Sequence, residues 1–133
     1  MITKEYNLSV DKYGYLKDVL FYVTTKEKFP AILENGRIFN SVDDPSLFAY
    51  NNFWDAVKWV VDKELIHRKD LGSGDYVILY LRQGDEWEST KYCHSMKGRW
   101  YRARHPVNTS TIIDTVFVDR VVLERWYDFC SGV

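Results

Sequence analysis

Apolar and polar positions follow two rhythms along this chain, and the rhythm changes several times. Residues 19–24, VLFYVT, are a run of β-branched and aromatic side chains that predicts a strand. Thr24 and Thr25 stand where a hydroxyl caps the turn that follows. Pro30 suits the first position of a helix and no deeper one. The spacing therefore predicts a short helix with Phe29, Ile32 and Leu33 as its contact face and Gly36 as its stop. RIFNS, 37–41, reads as a second strand and VDDPS, 42–46, as a turn. Over 52–66 the period becomes helical, with Phe53, Val57, Val60 and Val61 on one apolar stripe. Trp59 lies off that stripe, one turn beyond Asp55.

The second half is richer in strands. DLGSGD is a turn into YVILYLR, 76–82, the clearest strand of the chain. WESTKYCHS, GRWYRAR and TIIDTVFV read as further strands. In the tail, Asp119 is placed to cap a helix with Leu123, Trp126, Tyr127 and Cys130 on one face and Gly132 at its end. Residues 1–18, polar with spaced tyrosines, read as an edge strand or an ordered arm. A strand–helix–strand–helix opening followed mostly by strands predicts an α+β fold. The expectation is a single compact domain over residues 1–133, with a mixed or antiparallel sheet and two to three helices.

Composition narrows the function. With 133 residues and 46% hydrophobic content the chain can bury a core without disulfides or metal. A net charge of −1 supplies no overall pull toward nucleic acid or anionic membrane. No apolar run approaches the roughly 20 residues that span a bilayer. Cys93 and Cys130 lack C-x-x-C spacing and suit reduced thiols. A cytoplasmic protein with no membrane partner is expected. The unusual figure is 17% aromatic residues, a class favoured in cores and where a protein grips a base or a partner.

Most catalytic signatures fail. His67, His94 and His105 have no metal-ligand spacing, so no metal is expected. Cys93 and His94 are adjacent, and on a strand they would face opposite ways. GSG, 72–74, precedes a strand rather than a helix, the wrong context for a phosphate loop. Three features remain. Tyr22 and Thr24 share one face of the first strand; the bland alternative is a half-buried Tyr and a capping Thr. KGRWYRARH, 97–105, sets Arg99 and Arg102 among stacking rings such as Trp100, a pattern suited to a phosphate-bearing base or to single-stranded nucleic acid. The same stretch also reads as an edge strand with a solvated basic face. Glu86 and Glu88 flank Trp87 at i and i+2, placed to share acid–base work on one strand face or to form a solvated turn. Trp87 is expected to be exposed there with something to touch.

Together these blocks resemble the ADP-ribosyltransferase-like fold of diphtheria-type toxins and poly-ADP-ribose polymerases. LFYVTTKEKFPAILENGRI resembles the family's opening strand, turn and helix, with Tyr22 where diphtheria-type members carry a His that holds the NAD ribose. LFAYNNFWDAVKWV resembles the second block, a short strand and then a helix opened by Asp55 and Ala56. There Trp59 takes the place of a Tyr that stacks on nicotinamide. RWYRARHPVNTSTIIDTVFV resembles the third block. The family's catalytic Glu opens that block, and this chain offers Arg99, Trp100 or Tyr101 instead. The resemblance implies a cleft for NAD, ADP-ribose or a related nucleotide, with Tyr22 and Thr24 toward the ribose, Trp59 on a base and Arg99 or Arg102 at the phosphates. If the protein is catalytic, Glu86 or Glu88 is the acid. The alternative is a non-enzymatic inhibitor or adaptor, for example phage- or mobile-element-encoded, that covers a protein target with an aromatic-rich surface. A cleft gathers Trp59 and Trp100 around one concavity; an interaction face spreads them over a flat one.

Overall fold

A computed structural model describes residues 10–11, 13–39, 46–67, 73–90 and 98–131. Strand β1 (Val19–Thr25) is followed by α1 (Phe29–Asn35), β2 (Arg37–Ile38), β3 (Leu47–Tyr50) and α2 (Phe53–His67). Then come β4 (Ser73–Arg82), β5 (Glu88–Ser89), β6 (Trp100–Ala103), β7 (Val107–Asn108), β8 (Ile112–Asp119) and α3 (Arg120–Ser131). Six strands form one sheet in the order β5-β6-β3-β1-β4-β8, and β2 pairs with β7 in a separate ribbon. Every pairing is antiparallel. The fold is α+β, as the order of predicted elements implies.

Strand alternation builds two cores. Phe21, Tyr76, Ile78 and Tyr80 point to one face, where α2 and α3 cover them with Phe53, Val57, Val60, Val122 and Leu123. Leu20, Val77, Leu79 and Leu81 point to the other, under Ile32 of α1 and Ile38 and Val107 of the ribbon. With both faces covered, β4 has no polar side, which is why YVILYL shows no alternation. Much of the aromatic content is spent here. Phe21 meets Phe53 and Tyr80 edge-on at 5.7 and 4.9 Å, and Trp54 stacks on Phe129 at 5.5 Å.

Local chemistry sets the helix ends. The Thr25 hydroxyl accepts the Lys28 N–H at 3.1 Å, and Gly36, at φ 78°, takes the left-handed turn that closes α1 on the Ile32 carbonyl. Asn52 caps α2 by accepting the N–H groups of Trp54 and Asp55 at 2.9 and 3.2 Å. Asp119 caps α3 by accepting from Val121 and Val122.

Several expectations need correction. Of the two readings of the first 18 residues, the described stretch 13–18 fits the arm and not the edge strand: it forms turns that dock on α2, where the Gly14 carbonyl accepts the Phe53 N–H at 2.8 Å. Gly14 has φ 96°, and a Cβ there would meet Trp54 Cδ1 at 2.6 Å, so no other residue fits this approach. RIFNS contributes only the two residues of β2, outside the main sheet. Leu33 is 52% exposed, so α1 is anchored chiefly by Ile32. In α3 the inward face is Val122, Leu123, Trp126 and Phe129, while Tyr127 is exposed. Trp87 is buried in the second core rather than presented in a loop. The predicted turn at 42–45, the segment 91–97 with Cys93, His94 and Lys97, and Gly132 lie outside the described residues.

Candidate functional site

The six-stranded sheet does not close evenly. On one side β1 pairs with β4 at every residue, from Val19–Arg82 to Thr25–Tyr76. On the other it meets β3 in one recorded register pair, Phe21–Tyr50. Beyond that pair the two strands part, and a cleft of about 390 Å³ opens between them. Tyr22, Val23, Thr24 and Thr25 of β1 line one wall; Leu47, Phe48 and Tyr50 of β3 and Trp100 of β6 line the other. Trp59 of α2 and Tyr76 of β4 contribute from the helix-covered face, and Lys28 and Phe39 lie near the ends of the α1 segment. Seven of the twelve described lining residues are aromatic, the composition of a site that holds a flat ligand by its faces.

The rings are placed by one another. Trp100 meets Tyr50 edge-on at 5.8 Å and Phe48 at 5.9 Å, because the β3–β6 register sets Tyr50 opposite Trp100. Trp59 meets Tyr76 edge-on at 6.3 Å, and the Lys63 ammonium lies 5.1 Å from the Trp59 ring centre, one helical turn on. Burial raises the Tyr22 phenol above its ordinary value, so this side chain keeps its proton at neutral pH and stays a hydrogen-bond donor. Thr24 is buried beside it.

One corner of the cleft is set by polar side chains on backbone. Asp55, buried near the start of α2, accepts the Gly98 N–H at 2.7 Å. The Asn51 side chain accepts the Arg99 N–H at 2.8 Å, and the Asn51 N–H donates to the Arg99 carbonyl. A Cβ on Gly98 would clash with the Asn51 side-chain oxygen that holds the Arg99 N–H, so the close approach requires glycine. These bonds fix the chain two residues before Trp100.

The sequence candidates therefore separate. Tyr22, Thr24, Trp59 and Trp100 converge on one concavity. Asp55 acts on backbone, not in the cleft. Arg99 is exposed, and Arg102 is turned to Glu88 at 3.3 Å. Glu88 stands at the sheet edge, opposite Arg102 in register, and Arg104 also reaches it at 3.1 Å. Hydrogen bonds from Arg102 and Arg104 hold its carboxyl below the usual carboxylate range. A general acid needs the opposite shift. Glu86 is exposed in the preceding turn. Neither carboxylate lines the cleft. Sequence reasoning missed Phe48, Tyr50 and Tyr76, whose role depends on where two strands part company.

Among the described residues, no three His, Cys, Asp or Glu side chains gather as a metal site, and no helix is long and apolar enough to cross a membrane. No family model matches the chain, and no curated protein matches it. The chain is similar in fold to crystal structures of protein CC0527 from Caulobacter crescentus and of a double mutant of that protein. Each gives a TM-score of 0.52 at 13% identity, over 74% of this chain and 84% of that one. Identity at this level shows a shared α+β fold and nothing of the chemistry.

Proposed function

We propose that the protein binds a nucleotide of the NAD, ADP-ribose or AMP class in the cleft between β1 and β3, and holds it without transferring ADP-ribose. What carries this reading is the convergence of Trp59 and Trp100 with Tyr22 and Thr24 on one concavity. A base lies between rings, and the Tyr22 and Thr24 hydroxyls are polar partners suited to a ribose. Stacking on an aromatic side chain contributes about 1–3 kcal/mol per base. The position of Glu88, paired with two arginines at the sheet edge, supports binding over transfer. The resemblance to the ADP-ribosyltransferase-like fold is part of the same proposal: a cleft between parted strands, with the catalytic acid absent from its third block.

The test is a calorimetric and thermal-shift titration with NAD, ADP-ribose and AMP, followed by an assay for released nicotinamide. A ligand specific to the folded state raises stability by about 2.7 kcal/mol at a hundredfold excess over its Kd. Trp59→Ala is expected to weaken binding by about tenfold or more, in line with the loss of one stacking partner. Silence with all three ligands would sink the nucleotide reading and return the aromatic-rich surface to the protein-binding alternative. Nicotinamide release would keep the cleft and remove the claim that it does not transfer.

A further inference from the structure

The arginines that the sequence pattern singles out are not among the described residues that line the cleft. Arg102 is engaged by Glu88 at 3.3 Å, and Arg104 reaches the same carboxylate at 3.1 Å. Arg99 contributes its backbone to Asn51, and its side chain is exposed. Lys28 is different. It is the one charged side chain among the described residues that line the cleft, and none of the described salt bridges involves it. Its backbone is fixed at the entry to α1 by the Thr25 hydroxyl, and Thr25 lines the same cleft. The backbone from which this side chain leaves is therefore fixed at the cleft, within reach of the rings that line it. A second positive charge, Lys63, sits over the Trp59 ring at 5.1 Å. No carboxylate is among the described residues that line the cleft with Lys28.

Resting on the nucleotide reading above, we infer that the cleft selects a nucleoside monophosphate over the uncharged nucleoside, with Lys28 as the specificity-determining contact to the phosphate. Size agrees. A volume of about 390 Å³ lies near the lower end of the ~300–1,000 Å³ typical of ligand pockets. One base, one ribose and one phosphate suit such a space, and the remainder of a dinucleotide extends beyond it. Aromatic faces provide the base with affinity that is indifferent to salt, and the lysine provides a salt-sensitive increment that only the anion receives.

The experiment compares AMP with adenosine by calorimetry on the wild-type protein, Lys28→Gln and Lys28→Arg, at low and physiological salt. Lys28 is exposed, so both variants are expected to keep the wild-type thermal midpoint. The expected result is a preference of the wild type for AMP of about fivefold, the scale of one exposed ion pair. That preference shrinks with salt, disappears in Lys28→Gln and survives in Lys28→Arg, while adenosine binds all three proteins alike. Equal binding of AMP and adenosine to the wild type would overturn the role of Lys28 and leave the nucleoside cleft standing. An equal loss of both ligands in Lys28→Gln would do the same. Failure of either compound to bind the wild type would overturn the inference together with the reading on which it rests.

Discussion

The two sides of β1 are built by different means. Toward β4 the sheet is zipped, with pairing through every residue of β1, and its buried cross-strand neighbours are apolar on both faces: Phe21 beside Tyr80 and Leu20 beside Leu81. Toward β3 and β6 it touches once, at Phe21–Tyr50, and then opens. That outer half is held by polar side chains on backbone, Asn51, Asn52 and Asp55 binding the turns at 13 and at 98–99. Apolar packing is insensitive to the orientation of any one group, so it suits a wall that need only stay shut. Directional bonds suit a corner that must set one chain at a defined place against another, two residues before Trp100. The difference teaches that one half supplies stability and the other supplies shape.

The largest test of that division is a pair of aromatic truncations on opposite sides. Phe21→Ala empties a fully buried position in the zipped half and is expected to cost about 3–5 kcal/mol in denaturant unfolding. Phe48→Ala removes a ring that is 42% exposed at the cleft wall, and is expected to cost under about 1 kcal/mol while weakening ligand binding. Similar stability losses in the two variants would erase the distinction.

Next in size is the polar corner. Asp55→Ala leaves the Gly98 N–H without its 2.7 Å acceptor, and a part-buried donor stranded in this way costs about 1–3 kcal/mol. Because the corner aims β6, ligand affinity is expected to fall further than in an equally destabilised variant of the zipped half, such as Val116→Ala on β8. If affinity tracks stability alone in both, the corner is only a brace.

How much of this was legible in the sequence depends on range. Short-range signals transferred well: the Phe53–Val61 stripe, the caps at Thr25 and Asp119, the stop at Gly36 and the apolar run of β4 all follow from periods and side-chain chemistry within a few residues. Trp59 was legible as a ring off the core stripe, and it lines the cleft. What did not transfer depends on which strands pair. Trp87 reads as an exposed loop residue, yet the path between β4 and β5 folds it into the second core, 5% exposed. Glu86 and Glu88 read as a pair, but the register opposite β6 brings arginines to Glu88 instead. The parting of β1 from β3 leaves no local mark at all. Nor do the bonds from Asn51 and Asp55 to a segment more than forty residues away, because local patterns do not encode such contacts.

A smaller effect sharpens the account of the zipped half. The Tyr80 hydroxyl is buried with no hydrogen-bond partner among the described residues. Burial, with a lesser contribution from the charge of Asp114, pushes its ionisation well above the usual tyrosine value near 10. Below about pH 10 the phenol is neutral in folded and unfolded chains alike, so its ionisation takes nothing from stability. Above that point the unfolded chain loses the proton and the folded one keeps it, so stability falls as pH rises. Tyr80→Phe is expected to be neutral or up to about 1 kcal/mol stabilising at neutral pH, since it deletes an unpaired buried group. It should also flatten the alkaline fall, with Tyr22 retaining part of it. Denaturant unfolding of both proteins from about pH 8 to pH 11 reads the difference; identical alkaline limbs would mean that Tyr80 is not the group that resists ionisation.

The smallest expected effect belongs to Glu88, and it bears most directly on chemistry. Arg102 and Arg104 hold its carboxyl below the ordinary value at an exposed edge. A depressed value means that its contribution is present above the unfolded carboxylate value near ~4.3 and is lost as pH falls through the lower folded one. Glu88→Gln should therefore lower the neutral-pH midpoint only slightly, flatten the acid limb so that the two proteins converge at low pH, and leave the affinity for AMP unchanged. Exposed pairs of this kind contribute little because water already solvates both partners. If Glu88→Gln instead abolished ligand binding, or any release of nicotinamide by the wild type, the working group would sit at the sheet edge beyond β6. The cleft between β1 and β3 would then be a gap in the sheet and not its site.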